Sequence, residues 1–184
     1  GVTMKRKIDL WEHGGKFLAP MGEGLLLTAK AEGKVNPMTI GWGTLGIQWG
    51  VPVFIAFVRT GRFTHSLLEK NPEFTVSAPW AAGAVKKILG FCGTRSGREV
   101  DKVAACGLTL EEPEVISVPA IRELPLTLEC RVIYRQQQDL GAITPENLKK
   151  FYPQEVDSSF HGRNRDLHTA FYGQVLAAYL VEQD

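Results

Sequence analysis

The chain is poor in the residues that build covalent or metal-held scaffolds. Its 184 residues include three cysteines, Cys92, Cys106 and Cys130, an odd number with no C-x-x-C spacing. That argues against a disulfide framework or a zinc site and leaves buried, small apolar thiols in a reducing compartment. The four histidines, His13, His65, His161 and His168, contain no i, i+4 pair, so no helical metal site is expected. No run of about 18 apolar residues is present, which excludes a membrane-spanning helix. An excess of one charge is missing too. The 21 Lys and Arg against 20 Asp and Glu leave +1, no field to draw in nucleic acid. The segment Gly1–Lys7 lacks the apolar core of a signal peptide, so a cytoplasmic protein is expected. Gly1 to Thr3, ahead of Met4, read as residues left over from cloning. Repeats of about 20–50 residues and low-complexity linkers are also absent, and residues 1–184 read as one domain.

What is there is strand pattern. Leu25 to Ala29 is a short apolar run, and Val51 to Val58 is a longer one that reads as a strand buried on both faces. Phe74, Val76 and Ala78 alternate with Thr75 and Ser77. Leu126, Leu128, Cys130, Val132 and Tyr134 oppose Thr127, Glu129, Arg131 and Arg135, the period of a half-buried antiparallel strand, with Ile133 the exception on the polar face. Phe171 to Val181 is another strand, apolar on both faces apart from Gln174. Short helices are expected at His65–Lys70, with Ser66 and Glu69 in capping-box spacing, at Ala81–Leu89, at Arg98–Ala105, and after Thr144-Pro145-Glu146 up to Tyr152-Pro153. Gln136–Gly141 and Asp157–Arg165 read as polar loops. The sum is a mainly β fold with short helices, most simply a closed barrel, since closure removes exposed strand edges.

Gly41-Trp42-Gly43-Thr44-Leu45-Gly46 matches the G-x-G-x-x-G dinucleotide pattern. The context refuses it. Ile47 to Pro52 is no helix, and no acidic residue follows at the distance that would hold a ribose. The glycines mark instead a twisted strand and turn where something approaches the backbone, or a bulge with nothing against it.

Three segments carry candidate chemistry. Asn36-Pro37-Met38-Thr39 leads into Gly41-Trp42-Gly43, a composition that lets backbone come close to a flat ligand. Arg59, Arg62 and Thr64 sit between a strand and a short helix, where guanidinium groups and helix amides suit a phosphate; the alternative is a solvated loop. Cys92 to Lys102 concentrates glycines, hydroxyls, arginines and a lysine in the manner of an anion nest, but lacks the order of a nucleotide P-loop. Trp42, Trp49, Phe63 and Trp80 are either walls for a ring system or core. His161, His168 and Tyr172 are polar candidates for a second substrate. No nucleophile–base order is evident, so the chemistry would come from a cofactor.

In series, these residues resemble the flavin reductase-like family, and within it the flavoredoxin branch. The likeness runs through Asn36–Thr39 with Gly41-Trp42-Gly43, Trp49–Val53, Arg59–Thr64, Phe74–Ser77, Cys92–Arg98 with Asp101-Lys102, Leu128–Cys130 and Tyr172-Gly173, in order over nearly the whole chain. The resemblance implies an FMN-binding split β-barrel that works as a homodimer, and a flavin reductase passing hydride from NADH or NADPH to flavin N5. It also implies the cofactor contacts: Asn36, Pro37, Met38 and Thr39 along the ring, Trp49 beside it, Arg59, Thr60, Arg62, Phe63 and Thr64 at the ribityl and phosphate, and Ser96, Gly97 and Lys102 downstream. Phe63 stands where the family often has tyrosine. His168 is the candidate nicotinamide contact, no side chain is required as acid or base, and no metal is implied. Three readings compete with the reductase: a flavoredoxin-type carrier reduced by a redox protein partner, a non-enzymatic flavin-binding barrel, and pyridoxamine-phosphate oxidation, which the motif order disfavours. The electron acceptor, free flavin or another protein, is open.

Overall fold

The computed structural model describes residues 3–81 and 85–183. Its strands are β1 (Thr3–Lys7), β2 (Leu25–Ala31), β3 (Lys34–Ile40), β4 (Gly43–Gln48), β5 (Val51–Arg59), β6 (Glu73–Ala78), β7 (Leu110–Glu111), β8 (Ala120–Ile121), β9 (Leu126–Gln137) and β10 (His168–Gln183). The helices are α1 (Leu10–His13), α2 (Gly15–Leu18), α3 (Phe63–Lys70), α4 (Val85–Thr94), α5 (Lys102–Ala105) and α6 (Pro145–Phe151), with a 3₁₀ turn at Leu140–Ala142. The mainly β expectation with short helices holds.

One antiparallel sheet dominates, in the order β3-β2-β6-β9-β10-β5-β4, with β1 added on β10; β7 and β8 form a separate pair. β3 and β4 lie at opposite ends of that order, yet Gly41 and Trp42 alone separate them in sequence. Two residues span at most about 11 Å, so the sheet has to curl until its two edges face one another. Those edges are not hydrogen-bonded to each other among the described residues. The result is a barrel with an open seam, the split barrel.

The hairpins that fix register use two-residue loops. Glu32-Gly33 joins β2 to β3 and Trp49-Gly50 joins β4 to β5, with all four residues at positive φ of 52°, 76°, 53° and 74°. This left-handed pair matches the twist of the flanking strands. A tryptophan in that conformation is strained. It is held at the hairpin tip by Tyr134, 5.7 Å away between ring centroids.

Inward side chains fill the barrel: Leu25, Leu27, Phe54, Ala56, Val58, Phe74, Val76, Leu126, Leu128 and Phe171 are all buried, and Leu67 and Leu68 of α3 close one end. A Cβ on Gly173 would lie 2.5 Å from the Phe74 ring, so β10 passes where only glycine fits. A second cluster, Leu26, Leu89, Cys92, Leu108, Ile121 and Leu124, packs on the other face of the sheet under α4.

The first half of β9 departs from the half-buried reading. Thr127 and Glu129, assigned to a polar face, are fully buried, as are Thr75 and Ser77. The segment before β8 folds over them. Glu129 accepts the backbone N–H groups of Glu114 (2.7 Å), Val115 (2.7 Å) and Ile116 (3.1 Å) and the Tyr179 hydroxyl (2.6 Å). Burial and the Glu129 carboxylate push the Tyr179 phenol upward, so it stays a donor. Period two marks one face as polar; it does not say whether that face meets water or a loop's amides.

Three helices also differ from expectation. α3 begins at Phe63 with Arg62 as its N-cap residue, and Ser66 turns back to the Phe63 carbonyl (2.6 Å) instead of capping. Asp101 caps α5 by accepting from Ala104 N–H (3.1 Å), so Arg98 to Val100 stays in turns and only Lys102–Ala105 is helical. The expected Ala81–Leu89 helix is observed from Val85, its start lying partly outside the described residues, as does the reading of Gly1 and Val2. No helix among the described residues is long and apolar enough to cross a membrane.

Replacing Glu129 by Gln turns an acceptor-only group facing four donors into one with its own N–H groups. The expected loss is about 3 kcal/mol of unfolding free energy, read from urea denaturation. A loss under about 0.5 kcal/mol contradicts this role for Glu129.

Candidate functional site

The barrel seam opens into a cleft of about 610 Å³, within the range of pockets for cofactor-sized ligands. Its walls come from the end of β3 and the Gly41-Trp42 link, the start of α3, the end of α4 with the turns before α5, and the segment from Ser158 to His168. The three candidate segments of the sequence therefore converge. Asn36, Met38, Thr39, Arg59, Arg62, Phe63, Thr64, Ser96, Gly97, Lys102 and His168 all line the cleft.

Convergence rests on tight packing. The Asn36 side-chain amide donates to the Thr64 hydroxyl (3.0 Å), and Thr39 donates to the Leu89 carbonyl (2.6 Å). Gly97 fits between β3 and α3 because it has no side chain: a Cβ there would lie 2.2 Å from Asn36 Oδ1 and 2.5 Å from the Phe63 ring.

Pro37, Thr60 and Trp49 are not in the walls. Pro37 is buried in the ladder opposite Thr28. Thr60 ties the turn after β5 to the start of β10 through its N–H and the Leu167 carbonyl (3.0 Å). Trp49 stands at the β4–β5 hairpin tip, 61% exposed, in an aromatic patch with Tyr134 and Tyr172. The register places it away from its own chain's cleft.

The walls are cationic. Arg59, Arg62, Arg95, Arg98, Lys102 and Arg163 line them against Glu99 and Asp166. Elsewhere arginines pair with acids, as Arg131 does with Glu73 and Arg165 with Asp157; none of these six cleft cations forms an ion pair among the described residues.

The cations differ in their engagement. Arg59 is committed to the protein: Nη1 donates to the carbonyls of Asp166 (2.6 Å), Asn164 (3.3 Å) and Phe151 (3.4 Å). This pins the Ser158–His168 wall to β5, so Arg59 shapes the cleft rather than standing free for an anion. Arg98 donates to the Gly61 carbonyl (3.0 Å) and lies over the Phe63 ring. Lys102 is 3% exposed and makes one hydrogen bond, to the Cys92 carbonyl (2.9 Å). Burial, then Arg62 among its neighbours, pulls its ammonium down from the usual lysine range, with the thiols of Cys92 and Cys106 opposing. A buried ammonium without a carboxylate is costly, and an anion in the cleft removes that cost. The uncapped first turn of α3 adds backbone donors beside it.

Part of the cleft wall is aromatic. Trp42 packs edge-on against Phe151 and lies 5.1 Å from the His168 ring. His168 Nδ1 shares a hydrogen bond with the Tyr152 hydroxyl (2.7 Å). Burial, with Arg59 and Arg62 nearby, pulls His168 down to about 3, so the ring is neutral. Trp42, His161 and Asn164 belong to the walls as well. The first two were legible as candidates by residue type; Asn164 was not, because only the Arg59 clamp brings its loop here.

Cationic donors and an aromatic wall thus share one cleft of a split barrel. Residues 22–184 match the flavin reductase like domain, and the chain belongs to that family. It is 30% identical over 118 residues to an uncharacterised protein of Archaeoglobus fulgidus, covering 64% of each chain; it thus spans just under two thirds of that curated relative. Among solved structures it is similar to flavoredoxin from Methanosarcina acetivorans (26% identity, 87% of this chain and 69% of that one, TM-score 0.62). A likeness in fold extends to an FMN-binding protein from Thermus thermophilus with bound p-hydroxybenzaldehyde (22% identity, 85% and 70% covered, TM-score 0.60).

The neutral His168 has a pH signature. The unfolded chain takes up a proton near pH 6.5, the folded one only near 3. Stability is therefore full above pH 6.5 and falls between 6.5 and 3, by on the order of 4 kcal/mol from this group. Urea denaturation at about pH 7.5 and pH 4 should show a smaller acid loss in His168→Gln than in the wild type; equal losses refute the depressed value.

Proposed function

We propose that this chain is a flavin reductase that binds FMN in the seam cleft and draws electrons from NADH or NADPH. The observation that carries this reading is Lys102, a buried ammonium with no carboxylate partner beside Arg62 and the open first turn of α3. These three, with Ser96, would hold the phosphate. Asn36, Met38 and Thr39 would run along the ring's polar edge, with Phe63 and Thr64 at the ribityl chain. Gly97 keeps that wall free of a side chain. Pro37 and Thr60 would act only through the backbone they support.

When bound, FMN supplies a ring that accepts a hydride at N5 from a reduced nicotinamide. The chain's residues supply position and electrostatics. Trp42 walls the site from solvent. Neutral His168 offers a polar ring without adding positive charge, which suits a nicotinamide carboxamide, and no side chain has to gain or lose a proton. The Trp49, Tyr134 and Tyr172 patch, apolar and exposed, supports a homodimer through this face, which would also give Trp49 a role against a partner's cleft. A cytoplasmic location fits the free thiols of Cys92, Cys106 and Cys130.

The similarity to a flavoredoxin favours a second reading: a carrier of electrons between proteins that takes none from nicotinamide. Anaerobic addition of NADH and NADPH to the FMN-loaded protein separates them. Bleaching near 450 nm (an approximate flavin maximum) is the expected result. Reduction by dithionite alone assigns the carrier role, and failure to bind FMN ends both.

Lys102→Met should weaken FMN binding about 10- to 100-fold through loss of a charge-assisted phosphate contact. The ligand-free protein should stay within about 1 kcal/mol of the wild type, because an uncompensated buried charge goes with it. Fluorescence titration and thermal denaturation read the two effects. Unchanged FMN affinity removes Lys102 from the site.

A further inference from the structure

Arg62, the most accessible of the inner cations, is already engaged. Its Nη1 donates to the His161 ring, 2.9 Å from Nδ1 and 3.1 Å from Nε2, and its Nη2 donates to the His161 carbonyl oxygen. On its other side, His161 Nε2 lies 3.4 Å from the Gly93 carbonyl. Nη1 lies within reach of both ring nitrogens, so the neutral ring offers it an acceptor in either tautomer. His161 thus presents Arg62 with two acceptors, a ring nitrogen and a carbonyl oxygen. Two acceptors side by side are what a phosphate offers a guanidinium fork.

We propose that His161 competes with the ligand's phosphate for Arg62, so that the segment Asp157–Asp166 gives up its hold on α3 when the anion arrives. This rests on the reading that the cleft takes a phosphorylated ligand. The segment can yield at its middle while its ends stay tied together, Ser158 donating to the Asp166 carboxylate (2.6 Å). Arg59 clamps Asn164 and Asp166, whereas His161 itself is exposed and bound only through Arg62 and Gly93.

The competition has a built-in pH dependence. The charged groups facing His161 are Arg62 from the start of α3, Lys102 from α5, Glu99 from the turn before it, and Arg163 and Asp166 from its own segment. Burial first, then Arg62 and Lys102, pull the ring below its ordinary value, against the opposing effects of the Gly93 carbonyl and Glu99. The ring is neutral near pH 7 and competes. Protonation removes the ring's remaining nitrogen lone pair and makes the contact with Arg62 repulsive, so the competition ends in acid. A phosphomonoester has its own second ionisation near pH 6, so wild-type affinity alone is ambiguous, and the comparison with a variant carries the test.

Dissociation constants for FMN and riboflavin, by fluorescence quenching, should be measured for wild type and His161→Ala at about pH 8 and pH 5.5. At the higher pH the variant should bind FMN about 3- to 10-fold more tightly, the scale of one lost competing hydrogen bond. The advantage should shrink at the lower pH as the ring begins to protonate, and riboflavin, with no phosphate, should bind equally to both. Weaker FMN binding by the variant overturns the proposal, because His161 would then be a ligand group. So does an equal gain for riboflavin, which would make the loop a mere obstruction. If neither protein binds either flavin, the flavin reading fails, and competition for Arg62 is judged with inorganic phosphate alone. Its addition should shift the His161 Nδ1 resonance in the wild type and leave it unmoved in Arg62→Ala; no shift in the wild type overturns the proposal.

Discussion

The constraint on which the rest depends is the Gly41-Trp42 link. It joins the two outermost strands of a seven-strand path, and so brings both edges of the sheet to one place. A sheet closed entirely by hydrogen bonds would have no opening along its side. This one has unpaired edges that meet at a short covalent tie, and the cleft forms where they part. The ends of β3 and β5, the entry to α3 and the start of β10 all reach that seam because antiparallel register delivers them there, His168 pairing with Arg59 at its rim. The site follows from how the barrel closes.

Electrostatics then divides the work. Arg59 and Lys102 are both buried cations at the seam, and each interacts mainly with backbone carbonyls. Arg59 meets three and becomes structural; Lys102 meets one and keeps donors to spare. The difference is geometric. Arg59 points off the end of β5 into a loop that wraps round its head, while Lys102 opens a single-turn helix whose residues are held by Asp101. Neutral His168 next to two arginines completes the division, since a third cation there would add repulsion with no acid to absorb it.

Much of this was legible in the sequence. The strands declared themselves by period, and the lack of a helix after Gly46 correctly dismissed the dinucleotide pattern, the segment being strand β4. The three site segments were visible as clusters of glycine, hydroxyl and guanidinium. What was not legible depended on contacts between distant residues. Glu129 looked like a surface charge because alternation reports a face and not its covering. Trp49 was read as a ring contact, and a two-residue turn carries it to a hairpin tip away from its own chain's cleft. Arg59 looked like a phosphate ligand because its carbonyl partners lie about a hundred positions away in a loop with no periodicity of its own.

The same loop explains why a strongly cationic cleft is compatible with a folded chain. Six cations in one cavity would repel one another and resist burial. Carbonyl oxygens answer them where carboxylates do not: Asp166, Asn164 and Phe151 for Arg59, Gly61 for Arg98, Cys92 for Lys102, His161 for Arg62. A carbonyl dipole satisfies a donor without cancelling its charge. The chain is thereby stable with its positive potential intact, and that potential remains available to an anionic ligand. Paired acids would have stabilised the same cations more strongly and left nothing for the ligand to neutralise.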